Sequence, residues 1–156
     1  MAAYPFKALK ISGQRPSAGQ LWKRVAPERR ALAAQAFWSD DNATAQIEAV
    51  VEMARHLKFR PKSVEALSLE RRVKYLATMP ALSDAVAGQV LVAYHLAHQR
   101  PMMGTFLDRL EVAHDTGVIS EPEKLEAPDT AKLAEAVEAL FAAYDAADVE
   151  LYLSTL

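Results

Sequence analysis

The sequence predicts an all-α fold, an irregular bundle of about six to seven helices around one buried central helix. After residue 16, apolar residues recur at spacings of three and four, which is typical of helices that bury one face. Serine, asparagine, aspartate and proline stand where one such pattern ends and the next begins, as they do at helix ends. No alternating pattern typical of a strand follows residue 16.

Length and composition indicate one globular domain. The chain has 156 residues, of which 51% are hydrophobic and 24% charged, and it contains no cysteine. This composition excludes a disordered chain, a collagen-like fibre and a disulfide scaffold, and the lack of cysteine excludes thiolate metal sites and cysteine nucleophiles. We therefore expect a short extended arm over residues 1–16 and a single helical domain over residues 17–156.

The first helices are predicted from their start signals. Ser17 and Gln20 have the spacing of a capping box, in which each side chain accepts a hydrogen bond from the other residue's amide. This helix should end near Ala26, and Pro27 suits the first turn of a second helix that reaches about Trp38.

The third predicted helix begins after Asp41 or Asn42, either of which can cap it. Pro61 ends this helix, residues 63–67 form a short turn, and Ser68 opens a helix to about Thr78 with Leu69 facing inward. The apolar stripe of the third helix consists of Ile47, Val50, Val51, Ala54 and Leu57.

The helix predicted over about residues 83–99 is apolar on nearly all sides, which is typical of the buried centre of a domain. Pro101 should begin the next helix, and Gly117 is a natural left-handed stop for it. A loop with a proline follows, and Asp129 caps a last long helix.

Charge is divided unevenly along the chain. Residues up to Leu107 hold 15 Lys and Arg against 8 Asp and Glu, whereas the rest hold 3 against 12. One hypothesis is a phosphate-binding surface for nucleic acid. The alternative is that basic helices pack against acidic ones or form solvated faces, and Phe59 and Tyr75 are the only aromatic residues close by. The basic segment, residues 55–74, contains Arg55, Lys58, Arg60, Lys62, Arg71, Arg72 and Lys74.

Four residues suggest a metal or small-molecule site. His95 and His98 are three apart on the central helix, and Glu111 and His114 are three apart on the helix that is predicted to follow it. If these helices are antiparallel, roughly 9 Å of axial distance separates His95 from Glu111, which is too far for one metal ion. The alternative is that His95 is partly buried and hydrogen-bonded, while His98 lies near a helix C-terminus.

The principal functional hypothesis is a module that binds a protein partner or a second copy of itself, as in a homodimer. The chain end is apolar, so it either docks onto the bundle or meets another subunit. The two tryptophans anchor either a core or an interface. The candidate interaction residues are Trp22, Trp38, Leu151, Tyr152, Leu153 and Leu156.

Signals for catalysis, for a cofactor and for membrane insertion are absent from the sequence. There is no Gly-x-Ser-x-Gly, and the five glycines form no phosphate-binding loop, so we expect binding without catalysis and no cofactor. The longest apolar run, residues 139–144, is far shorter than the ~20 residues that span a bilayer, and no secretory signal precedes residue 16. The sequence therefore predicts a cytoplasmic protein without a membrane partner.

Overall fold

The computed structural model describes residues 16–155, and within them it contains nine α-helices and one short hairpin, which confirms the all-α prediction. The arm predicted for residues 1–16 falls outside the described residues, apart from Pro16. The helices are α1 Ala18–Arg24, α2 Pro27–Ser39, α3 Ala43–Leu57, α4 Pro61–Glu65, α5 Leu69–Ala77, α6 Asp84–His98, α7 Arg100–Arg109, α8 Thr130–Ala143 and α9 Ala146–Ser154.

The chain divides into two compact units. We call Ser17–Tyr94 the N-terminal unit and the described part of His95–Leu156 the C-terminal unit. The boundary falls inside α6, between Tyr94 and His95. The prediction of a single domain over residues 17–156 stays a prediction.

Local signals determine the helix starts of the N-terminal unit. The Gln20 amide donates to Ser17 Oγ (3.2 Å) and the Ser17 amide donates to Gln20 Oε1 (2.8 Å), so the predicted capping box is confirmed. Side-chain oxygens of Asn42 and Ser68 accept hydrogen bonds at the starts of α3 and α5. Pro27 is the first residue of α2, where its missing N–H costs nothing.

The core of the N-terminal unit is built around Trp22, which is fully buried. Its indole Nε1 donates to the Met79 carbonyl (3.0 Å), so burial of this polar atom costs little. The Glu52 carboxylate accepts a hydrogen bond from the Ser83 amide (3.0 Å), which joins α3 to the start of α6. Other buried residues of this core are Phe37, Met53, Val64, Leu76 and Leu91.

The buried face of α3 differs from the predicted stripe. Ile47 is 60% exposed and Val51 is 44% exposed, although both were expected to face inward. Val50 and Ala54 of the stripe are buried as predicted, and the helix also buries Ala45, Ala49 and Met53, which the stripe did not include. The buried face therefore coincides with the prediction only in part, because small alanine side chains allow neighbouring residues to approach the helix closely. The inward orientation predicted for Leu69 on α5 is also wrong, because its side chain is exposed.

In the C-terminal unit α7 ends at Arg109, well before the predicted stop near Gly117. Glu111 adopts a left-handed conformation (φ 59°) and its amide donates to the Asp108 carbonyl (3.1 Å). The Val112 amide donates to the Leu107 carbonyl (2.9 Å), so the pair of bonds forms a Schellman motif. Glutamate here occupies a position that glycine usually fills, which explains why the sequence did not reveal this helix end.

A two-stranded hairpin follows α7, where the sequence predicted no strand. β1 His114–Asp115 and β2 Val118–Ile119 pair antiparallel, with Asp115 opposite Val118. The two turn residues, Thr116 (φ 46°) and Gly117 (φ 90°), both have positive φ, as a type I′ turn requires. The Arg100 guanidinium donates to Thr116 Oγ1 (2.9 Å) and so fastens this turn to the first residue of α7.

The last predicted helix is two helices. Asp145 interrupts it, and its carboxylate accepts a hydrogen bond from the Ala147 amide (2.9 Å) to cap α9. Together α8 and α9 complete a core with α7 and β2. The buried residues of that core are Met102, Met103, Phe106, Leu107, Leu110, Ile119, Ala136, Leu140, Val149 and Tyr152.

Candidate nucleic-acid interface

The basic segment, residues 55–74, runs from the last turn of α3 through α4 into α5. Lys58 terminates α3 in a left-handed conformation (φ 57°), and the Phe59 amide then donates to the Ala54 carbonyl (2.9 Å). These are the features of a Schellman turn. The turn sets the direction in which the chain leaves α3, and it therefore positions Phe59.

Phe59 contacts Tyr75 of α5 edge to face, with ring centroids 6.4 Å apart and an interplanar angle of 83°. This contact holds the loop after α3 against α5, although Phe59 and Tyr75 are 16 positions apart in the sequence. Phe59 remains 43% exposed. We use the name basic–aromatic face for this ring pair together with the cations beside Phe59 in the chain and the exposed cations of α5. It consists of Lys58, Phe59, Arg60, Arg71, Lys74 and Tyr75.

Most cations of the basic segment have no protein partner within the described residues. Among residues 16–155 none of the exposed cations in this segment forms an ion pair. In this segment, therefore, no ion pair among the described residues supports the alternative that basic helices pack against acidic ones. The remaining alternatives for this segment are a solvated face and a phosphate-binding surface, and a test of polyanion binding distinguishes them. The exposed cations are Arg55, Lys58, Arg60, Lys62, Arg71 and Lys74.

Arg72 differs from the other cations of the segment. Its guanidinium carbon lies 5.2 Å from the centre of the Trp38 ring, a cation–π contact between α5 and α2. Its Nε atom is buried and has no hydrogen-bond partner within the described residues. The structure therefore uses Arg72 to pack α5 against α2, whereas the six exposed cations remain available to a ligand.

A groove of about 370 Å³ runs beside α5 within the N-terminal unit. Arg71, Lys74 and Tyr75 line it, together with Ser68 and Glu70. Arg71 lies three residues before Lys74 and four before Tyr75, so it neighbours both side chains on the helix surface. The groove thus places two cations beside one of the aromatic rings.

The residues predicted to form a protein interface lie mostly inside the two units. Trp22 and Trp38 belong to the core of the N-terminal unit, which supports the core alternative for both. Leu151 and Tyr152 are buried and Leu153 is partly buried, all within the C-terminal unit. The chain end therefore docks onto its own unit as far as it is described, and Leu156 lies outside the described residues.

The residues predicted for a metal or ligand site have other surroundings. Lys132 donates a hydrogen bond to Glu111 and thereby holds the pKa of that carboxyl below its usual value. The Gly117 amide donates to His114 Nδ1 (3.0 Å), so the ring proton is on Nε2, which contacts Asp108 Oδ1 at 2.6 Å.

On α6, His95 is buried and His98 is exposed. In the part of the chain that the structure describes, no group of three or more His, Asp or Glu side chains converges in a way that could hold a metal ion.

Comparison with known proteins identifies no relative, since no family model, curated protein or solved structure matches this chain. None of the helices within residues 16–155 is both long enough and apolar enough to cross a bilayer. In the sequence, Phe59 and Tyr75 are recognisable only as the few aromatic residues near the basic segment. Nothing in the sequence signals their contact, because it depends on how the turn at Lys58 directs the chain.

Proposed function

We propose that this chain binds nucleic acid through the basic segment, residues 55–74. The observation that carries the proposal is the set of exposed cations, unpaired within the described residues, beside the Phe59–Tyr75 pair. The segment holds seven basic and two acidic residues, a net charge of +5. Each phosphate that such a cation neutralises releases condensed counterions, so the affinity should depend strongly on salt.

The test neutralises two cations of the groove, with Arg71→Gln and Lys74→Gln in one chain. Fluorescence anisotropy with a labelled oligonucleotide, between about 50 mM and about 200 mM salt, measures affinity and its salt dependence. We expect weaker binding and a log–log salt slope smaller by about 2 than that of the unmodified chain, one for each lost phosphate contact.

The matched control carries Lys23→Gln and Arg24→Gln, which remove two exposed cations of α1 and change the net charge equally. The control should retain the salt slope of the unmodified chain. No detectable binding at the lowest salt would refute the proposal, and equal effects of the two variants would show that net charge alone, not this segment, is responsible.

We propose association with a protein, or with a second copy of the chain, as a second candidate function. The supporting observation is that Ile47 and Val51 are four residues apart on α3 and both are exposed. Adjacent apolar side chains on a helix surface are a common feature of protein interfaces. This surface replaces the predicted one, because Trp22, Trp38, Leu151 and Tyr152 are buried. In both candidate functions, we propose that the protein binds a partner without catalysis and does so in the cytoplasm.

A further inference from the structure

We infer that the ligand of the basic–aromatic face is single-stranded nucleic acid, with one base stacked on Phe59. This inference rests on the proposed function and adds to it the class of nucleic acid and the group that recognises it. Three features of the face support it, namely the free ring surface of Phe59, the small net charge of the groove, and the position of the ring beside two cations.

The first feature is the geometry of the ring pair. In an edge-to-face contact, one ring presents its edge and keeps both faces free, while the other presents one face and keeps the other. Whichever role Phe59 has, at least one of its faces is not covered by Tyr75. As a residue, Phe59 is 43% accessible to solvent, which leaves part of it open to a ligand.

The second feature is the charge of the groove beside α5. Arg71 and Lys74 contribute two positive charges to its lining and Glu70 contributes one negative charge, so the lining has a net charge of +1. Ionic attraction within the groove is therefore smaller than over the whole segment, whose net charge is +5. A ligand that also stacks a base gains binding energy that does not depend on charge, and such stacking is the principal sequence-tolerant contact of proteins that bind single strands.

The third feature is the position of Phe59 relative to the cations. Lys58 and Arg60 precede and follow it directly, and the ring contact places it against α5, which carries Arg71 and Lys74. A strand that crosses this face can place phosphates on cations while a base reaches Phe59. A duplex keeps its bases paired and stacked inside, so it presents phosphates but no free base surface to an exposed ring.

The experiment compares single-stranded DNA, single-stranded RNA and duplex DNA, each of about 16 nucleotides or base pairs, by fluorescence anisotropy. Three chains are used: the unmodified chain, Phe59→Leu and Phe59→Trp. Leucine retains apolar bulk at this exposed site without a π surface, whereas tryptophan retains stacking. We expect both single strands to bind more tightly than the duplex, and the better of the two identifies the natural class.

The Phe59→Leu change should weaken single-strand binding about 5- to 150-fold and leave duplex binding unchanged, since a stacked base contributes at this level. In Phe59→Trp, affinity should be retained, and the added indole fluorescence should be quenched by a single strand. Thermal unfolding of each variant confirms that it folds.

Two outcomes separate the inference from the proposed function. If duplex and single strand bind equally and Phe59→Leu leaves both affinities unchanged, the inference is wrong while the function through the basic segment stands. If none of the three nucleic acids binds at low salt, the function and the inference fall together, and the surface on α3 becomes the leading candidate.

Discussion

Two tyrosines of the C-terminal unit differ in what their hydroxyl groups contact. Tyr144 Oη lies 2.9 Å from Thr105 Oγ1, within hydrogen-bond distance. Tyr152 is completely buried, its ring packs edge to face against His95 and Phe106, and its hydroxyl has no hydrogen-bond partner within the described residues. A buried hydroxyl without a partner costs about 1–3 kcal/mol, so the same substitution should have opposite effects at the two positions.

We expect Tyr152→Phe to raise the free energy of unfolding by about 1 kcal/mol and Tyr144→Phe to lower it by about 1 kcal/mol. The first change removes a desolvated group and the second removes a hydrogen bond, while both retain the ring. Urea unfolding followed by circular dichroism measures the two values. A loss of stability in Tyr152→Phe would show that its hydroxyl does have a stabilising partner.

The same buried hydroxyl makes stability depend on pH in the alkaline range. Burial raises the pKa of the Tyr152 phenol above its usual value of 10.0. Above pH 10 the unfolded chain therefore releases a proton that the folded chain retains, and the free energy of unfolding falls as the pH rises. Tyr152→Phe should reduce this fall in the free energy of unfolding. Urea unfolding at a series of pH values from 9 upward measures it, because a free phenol has a pKa of ~10.

Glycines in two elements show how local geometry determines stability. Gly117 in the hairpin turn has φ 90°, and a Cβ there would lie 2.9 Å from Met103 Cβ and 3.0 Å from the Arg100 carbonyl oxygen. Gly88 lies inside α6, and among the described residues a Cβ there would meet only the Ala18 side chain, at 3.8 Å. The first position requires glycine for both backbone and space, whereas the second has room for alanine.

We expect Gly117→Ala to lower the free energy of unfolding by about 2–4 kcal/mol, from the left-handed strain and the close contacts together. Gly88→Ala should raise it by about 0.5–1 kcal/mol, because alanine loses less conformational entropy in a helix. Thermal unfolding of the two variants beside the unmodified chain measures both effects. Equal effects at the two positions would contradict this account of the hairpin.

At the scale of the whole molecule, the two units differ in charge. Residues 17–94 hold eleven basic and eight acidic residues, a net charge of +3, while residues 95–156 hold four and twelve, a net charge of −8. Association driven by such charges weakens as salt screens them, whereas association through an apolar surface does not. Salt dependence therefore distinguishes the two candidate functions.

For the second candidate function, we expect the nucleic-acid-free chain to form a dimer whose mass is the same at low and high salt. Ile47→Gln with Val51→Gln should convert it to a monomer, because both residues belong to the exposed face of α3. Phe141→Gln is the control, since it removes an exposed apolar side chain of α8. Light scattering after size-exclusion chromatography measures the mass, and a monomer at every concentration in the unmodified chain would exclude this surface as a dimer interface.

The fold class and several helix starts could be predicted from the sequence alone. The Ser17–Gln20 capping box, the caps at Asn42 and Ser68, and the proline at the start of α2 are all present in the structure. These features depend on residues within one turn of each other, and the hydrogen bonds that they form are local. The charge of residues 55–74 was equally evident, since it requires only counting.

Tertiary packing determines which helix faces are buried and which side chains meet. It exposed Ile47 and Val51, buried Trp22 and Tyr152, and brought Phe59 to Tyr75. It also ended α7 at a glutamate in a left-handed conformation, where the sequence offered no glycine. Burial depends on what distant segments present to a helix, and a close-packed interior selects for shape as well as for hydrophobicity. A short stretch of sequence contains no information about distant segments or about the shape of the interior. The candidate site therefore depends on the tertiary contact between the loop at Lys58 and α5.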